Sequence, residues 1–266
     1  MSIRINSVKT DTFEMKYFSF GSGTKDMVIL PGLSLQDLMP MAGAIADAYS
    51  IFKEDFTVWF FDRRADIPEG YTICDMAEDT AKAMEQLGLQ GVSLFGVSQG
   101  GMIAQCLATE HPGLVGRMVL ASTASRTDVG RISRTCGRWK ELARECSAGE
   151  LFNAFAKDIY TPSFYEEYKD AIVSAGEKIT ETELDRFRKL LDAIDGFNMS
   201  GSLEKITCPV LVLGAAEDKV TDAEKMAETA KELGWESFIY EGYGHAVYDE
   251  APDFKERILE FFLQRS

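Results

Sequence analysis

The chain has 266 residues, 45% of them hydrophobic, which suits one α/β domain with room for an insertion, or at most two small domains, and excludes a disordered protein. Its 28 basic and 43 acidic residues leave a net charge of −15. A surface that acidic repels phosphate backbones and anionic lipid, so neither nucleic acid nor membrane is an expected partner, and solubility is the plain consequence of the charge.

The first residues hold no apolar run of the export-signal kind, and no stretch approaches the roughly 18 apolar residues of a membrane span. The five cysteines, Cys74, Cys106, Cys136, Cys146 and Cys208, form no C-x-x-C pair. They read as reduced thiols of a cytoplasmic protein, not as a disulfide framework or a zinc site. There are two histidines, His111 and His245, so any imidazole chemistry must use one of them.

In chain order, residues 4–9 and 13–20 alternate as strands do. Five short apolar runs follow, at 27–30, 57–61, 92–95, 117–121 and 209–213, with a sixth at 237–240. They have the character of strands buried on both faces of a parallel sheet. Helical patterns separate them: 75–87 stopped by Gly88, 99–110 stopped by Pro112, 222–233 stopped by Gly234, and 252–264. Between residues 126 and 203 the alternation ceases and only helical patterns appear, at 128–146, 149–159, 163–175 and 180–194. The predicted organisation is therefore an α/β core of mostly parallel sheet flanked by helices, residues 1–125 and 204–266, with a helical cap inserted at 126–203 over the carboxyl edge of the sheet.

The run Val92-Ser93-Leu94-Phe95-Gly96-Val97-Ser98-Gln99-Gly100-Gly101 contains G-x-S-x-G between an apolar strand and a helix. A serine on so tight a turn needs strained backbone, and larger side chains at Gly96 and Gly100 would crowd it. The turn lifts Ser98 clear of the sheet and aims the positive end of the following helix at it. Ser98 is the predicted nucleophile. A hydroxyl needs a base, and His245, in the glycine-bearing loop Glu241-Gly242-Tyr243-Gly244-His245, is the predicted one. His111 sits at a helix end before Pro112-Gly113, where capping accounts for it. The base needs an acid to fix its tautomer. The strand run ending Leu213-Gly214-Ala215-Ala216-Glu217-Asp218 offers two, and Asp218 is preferred to Glu217. The N-cap of the helix that follows is assigned to Thr221.

With these residues in the order Ser98, Asp218, His245, the chain resembles the α/β-hydrolase fold family over nearly its whole length. Val28-Ile29-Leu30-Pro31-Gly32-Leu33-Ser34 resembles the family's oxyanion loop, with Pro-Gly where His-Gly is usual. The resemblance places the oxyanion donors at the backbone N–H groups of Leu33 and Gln99. Gly244-His245 followed by Glu250-Ala251-Pro252-Asp253-Phe254 resembles the family's closing motif. One segment departs. After the 57–61 strand the family commonly has D-x-R-G-x-G-x-S, where this chain has Asp62-Arg63-Arg64-Ala65-Asp66-Ile67-Pro68-Glu69-Gly70-Tyr71, with displaced glycines and an extra charge.

The expected function is hydrolysis of a small carboxylic ester through an acyl-enzyme, with a small-molecule substrate as partner and no cofactor or metal. Acyl transfer, lactone opening and carbon–carbon hydrolysis use the same triad and stay open, as does a ligand-binding protein with vestigial turnover. Of the cap aromatics Trp139, Phe152, Phe155, Tyr160, Phe164, Phe187 and Phe197, a minority is expected to line an apolar acyl pocket and the rest to be core.

Overall fold

A computed structural model describes residues 3–264. The strands are β1 (Ile5–Lys9), β2 (Glu14–Phe20), β3 (Lys25–Leu30), β4 (Phe56–Arg64), β5 (Val92–Val97), β6 (Val115–Ala121), β7 (Val210–Ala215) and β8 (Glu236–Tyr240). The helices are α1 (Ala42–Ala48), α2 (Ile73–Gln86), α3 (Gln99–Glu110), α4 (Gly130–Glu145), α5 (Ala148–Ile159), α6 (Pro162–Gly176), α7 (Glu181–Asp192), α8 (Ala223–Leu233), α9 (Val247–Glu250) and α10 (Phe254–Leu263). None among the described residues is long and apolar enough to cross a membrane.

One eight-stranded sheet has the order β1-β2-β4-β3-β5-β6-β7-β8. β1 pairs with β2, and β2 with β4, in antiparallel fashion; every pairing from β4 through β8 is parallel. The parallel strands feed two cores because successive side chains point to opposite faces. Val28, Leu30, Leu94, Met118 and Leu120 join Met76 and Met84 of α2, Ile103 and Leu107 of α3 and Met226 of α8. Ile29, Phe95, Val97, Val119 and Ala121 join Ala42 of α1 and Phe254, Ile258 and Phe261 of α10 on the other face. Runs apolar on both sides are thus the parallel strands the sequence pattern predicts, except β8 at the sheet edge, where Glu236, Ser237 and Phe238 are exposed.

Several boundaries move for identifiable reasons. Helix α2 starts at Ile73, earlier than its apolar spacing suggests, because Thr72 and Asp75 form a reciprocal capping box. Strand β4 runs on through Arg64, into the segment that departs from the family pattern. Helix α1, Ala-Gly-Ala-Ile-Ala-Asp-Ala, lacks the large apolar residues that would announce it. Helices α4–α7 occupy the stretch between β6 and β7, and Ser147, Thr161 and Thr180 cap the last three of them. Within that stretch the β-type pairing is an isolated bridge between Arg126 and Asn198, which ties its two ends together. Cys74 of α2 and Cys106 of α3 bring their sulfurs to 2.7 Å, a pairing that no cysteine spacing announces.

Candidate active site

Strand β5 stops at Val97 and α3 begins at Gln99, so Ser98 alone makes the turn. It takes φ +50° and ψ −114°, conformational strain of order 1–3 kcal/mol that the surroundings must hold. The Ser98 N–H donates to Ala121 across 2.9 Å, and Thr123 Oγ1 donates to the Ser98 carbonyl across 2.7 Å. The flanking glycines are needed for space. A Cβ on Gly96 would lie 2.6 Å from the Gly100 carbonyl oxygen, and one on Gly100 would lie 2.0 Å from that of Leu30.

His245 Nε2 lies 3.0 Å from Ser98 Oγ, and its Nδ1 lies 2.8 Å from Asp218 Oδ2. His245 is 3% exposed and Asp218 1%. The loop bearing His245 is tied to the inserted helices, since Ala246 N–H donates to the Ile159 carbonyl at the end of α5. Asp218 accepts from the backbone N–H groups of Val220 and Thr221 on Oδ1 and from Thr221 Oγ1 on Oδ2, at 2.6, 2.9 and 2.6 Å. Burial pushes the Asp218 carboxyl up, but the charge of His245 and the hydrogen bonds from His245 and Thr221 outweigh it, and the net shift is downward. Glu217 points to solvent. The N-cap expectation for Thr221 is corrected: α8 begins after Asp222, and the Thr221 hydroxyl is spent on Asp218. His111 caps the end of α3 and contacts Glu78 across 2.9 Å, remote in role from this cluster.

The turn after β3 brings Gly32 against the serine: a Cβ there would sit 3.4 Å from Ser98 Cβ. Among the described residues, the backbone N–H groups of Leu33 and Gln99 donate no hydrogen bond to another group of the chain. Two free donors beside a hydroxyl–imidazole–carboxylate series can receive negative charge developing on an acyl oxygen.

Arg63 is a part of the site that sequence reasoning missed. Its guanidinium, 6% exposed, donates to the Pro31 carbonyl across 2.6 Å and to Gln99 Oε1 across 2.9 Å. Gln99 Nε2 continues to the Leu190 carbonyl of α7 across 2.7 Å. The neighbouring Asp62 pairs with Arg186 of α7, and Arg64 with Asp79 of α2, so the charged residues at the end of β4 divide between the site and ion pairs with the neighbouring helices. The extra charge in Asp62-Arg63-Arg64 was the available signal; strand alternation turns Arg63 inward.

A cavity of about 550 Å³ lies between the core and the inserted helices, reaching Gly32, Leu33 and Val97 beside the serine turn. Of the predicted aromatics, Phe152, Phe155, Tyr160 and Phe164 line it. Trp139, Phe187 and Phe197 are buried in the core instead.

A family model described as the alpha/beta hydrolase fold matches residues 48–252. The chain belongs to the α/β-hydrolase fold family. It is 23% identical over 212 residues to 3-oxoadipate enol-lactonase 2 of Acinetobacter baylyi, covering 78% of this chain and 77% of that one. It is 25% identical over 231 residues to a proposed carbamate hydrolase of Caulobacter segnis, covering 84% of each. The crystal structure of an α/β hydrolase from a Medee basin deep-sea metagenome superposes with a TM-score of 0.86 at 23% identity over 98% of both chains. At these identities the solved structure speaks for the fold of this α/β-hydrolase family member, and the chemistry must be argued from its own residues.

Proposed function

We propose that Ser98, His245 and Asp218 are a catalytic triad and that this α/β-hydrolase family member cleaves a small, largely apolar carboxylic ester through an acyl-enzyme. The observation that carries the reading is the unbroken series from Ser98 Oγ through His245 to Asp218, at 3.0 and 2.8 Å, beginning on a strained turn. The ionised Asp218 holds the proton of His245 on Nδ1 and leaves Nε2 free to accept one.

Ser98 Oγ attacks the ester carbonyl carbon while His245 Nε2 takes its proton. The carbonyl oxygen, now anionic, is held by the N–H groups of Leu33 and Gln99, with the N-terminus of α3 behind them. Collapse of the tetrahedral species expels the alcohol, which receives the proton from His245, and leaves Ser98 acylated. Water then gives a proton to His245 and attacks the acyl carbon. The second collapse releases the carboxylic acid and returns the proton to Ser98 Oγ. The apolar cavity beside the turn takes the larger organic part of the substrate.

Lactone opening is the same reaction with acid and alcohol joined in one molecule, and the similarity to an enol-lactonase favours it as the second reading. A fluorophosphonate probe tests the shared chemistry. It should label the wild type and fail to label Ser98→Ala; labelling retained in that variant overturns the assignment.

A further inference from the structure

The cavity beside Ser98 has one ionic group in its wall. Among the described residues no lysine, arginine or histidine lines it, and the only carboxylate that does is Asp249, on α9. Asp249 is exposed to the cavity. Its hydrogen bond comes from the Tyr160 hydroxyl at the long distance of 3.5 Å, and it forms no ion pair among the described residues. Lys255 of α10, the cation nearest to compensating it, instead donates to the Tyr248 carbonyl across 3.0 Å and sits 5.3 Å from the centre of the Tyr49 ring.

Aromatic residues share the cavity wall with this carboxylate. Tyr160 and Phe164 stack with centroids 4.6 Å apart, and Phe164 and Tyr168 follow at 4.5 Å. Tyr49 and Tyr248 complete the wall. Burial raises the pKa of both hydroxyls, so they remain neutral phenols. An undercompensated carboxylate among aromatic faces has the chemistry that holds a poorly hydrated cation: Coulomb attraction from one side and ring quadrupoles from the others.

We propose that this end of the cavity is a cation subsite, and that the group it takes is an alkylammonium, with a quaternary ammonium fitting it best. A carboxylate-bearing chain is turned away, because it would meet Asp249 with no cation in the described cavity wall to pair with it. That the ammonium belongs to an ester substrate rests on the function proposed above; that the subsite binds it does not.

The acid–base behaviour of Asp249 agrees. The crowding of protein around it raises its carboxyl to about 6, with Glu250 of α9 adding to the rise and Lys255 and the Tyr160 hydroxyl opposing it. Such a group is poorly solvated when ionised, and a bound cation stabilises its charged form. A quaternary ammonium does not titrate, so its binding must weaken as pH falls through about 6 and Asp249 takes up a proton.

Calorimetric titration of the purified protein with hexyltrimethylammonium, heptanoate and heptanol tests this directly. The ammonium should bind about 10-fold or more tighter than the carboxylate near neutral pH. Asp249→Asn, a near-isosteric change at an exposed position, should lower ammonium affinity about 5-fold or more, leave heptanol within about 2-fold, and abolish the pH dependence. Equal binding of ammonium and carboxylate, no measurable ammonium binding, or an Asp249→Asn variant that binds ammonium as the wild type does would overturn the proposal. Parallel assays with neutral, ammonium-tailed and carboxylate-tailed aryl esters separate it from the catalytic reading. Ammonium binding lost in Asp249→Asn, without turnover of any ester, would leave the subsite standing and remove the esterase.

Discussion

The guanidinium of Arg63 donates to the side-chain oxygen of Gln99 across 2.9 Å, directly behind the turn that carries Ser98. The same group holds the Pro31 carbonyl, so one buried cation joins the two segments whose N–H groups face the proposed oxyanion. Burial pulls its pKa down to about 10, which still leaves it charged at neutral pH. Arg63 is a positioning residue in this arrangement. Arg63→Met should lower kcat on an aryl ester about 10- to 100-fold with KM within about 3-fold, since the donors shift where removal of one costs about 10² to 10³. Arg63→Lys, which keeps the charge but not the fork, should fall between. Thermal melting separates the stability cost, about 1–3 kcal/mol for the polar groups left unpaired, from the catalytic one. Equal losses of kcat and of folded protein would mean that Arg63 serves the fold alone.

The triad assignment requires His245 and has no use for His111. His245→Gln should lower ester turnover about 10⁴-fold or more, as should Ser98→Ala, with melting temperatures near that of the wild type. His111→Gln should retain turnover within about 2-fold, because its contact is a surface pair with Glu78. Steady-state rates on a short-chain aryl ester decide this, and near-normal turnover by His245→Gln would mean that the chemistry has been misread.

Much of this site was legible because its decisive feature is local. Ser98 is announced by the residues on either side, as Gly96 and Gly100 are there for want of space against Gly100 and Leu30. His245 and Asp218 are far from Ser98 in the chain, and they are read from the scarcity of histidines, the glycine-bearing loop and the acids at a strand end, with the family's residue order agreeing; no periodicity links them. Arg63 was not legible because its partners, Pro31, Gln99 and, through Gln99, Leu190, come from three separate parts of the chain. Thr221 was misread for a related reason. A threonine ahead of a helix reads as a cap, but the carboxylate three residues earlier folds back and claims its hydroxyl. The cation subsite was hidden as well, since it gathers residues from the end of α1, the inserted helices and α9 around an acid that looks ordinary in the sequence.

The glycines of the turn make a sharp steric prediction. Gly100→Ala places a methyl 2.0 Å from the Leu30 carbonyl oxygen, backbone that cannot swing aside, so α3 must move off β3. The expected cost is about 3 kcal/mol or more, with loss of activity even where folded protein is recovered. Gly113→Ala meets nothing within 4 Å and should be nearly silent. Melting curves of the two variants measured side by side check the contrast.

Asp218 gives a prediction in both rate and pH. Asp218→Asn should lower kcat about 10³- to 10⁴-fold, because the amide favours the wrong tautomer of His245, while Glu217→Gln should be mild. Thr221→Val, which removes one of the bonds on Oδ2, should lie between. The stability effect has a definite sign. The folded-state pKa of Asp218 is depressed, so the folded protein binds its proton less readily than the unfolded chain. Its contribution is therefore fully present above the unfolded value of about 3.9 and is lost as pH falls from there through the lower folded value. Acid titration of the melting temperature should show Asp218→Asn less stable than the wild type at neutral pH and the two curves converging below about pH 4. Glu217→Gln should run parallel to the wild type across that window, since Glu217 faces solvent. Convergence in Glu217→Gln and a parallel curve in Asp218→Asn would transfer the acid from Asp218 to its neighbour, and with it the orientation of His245.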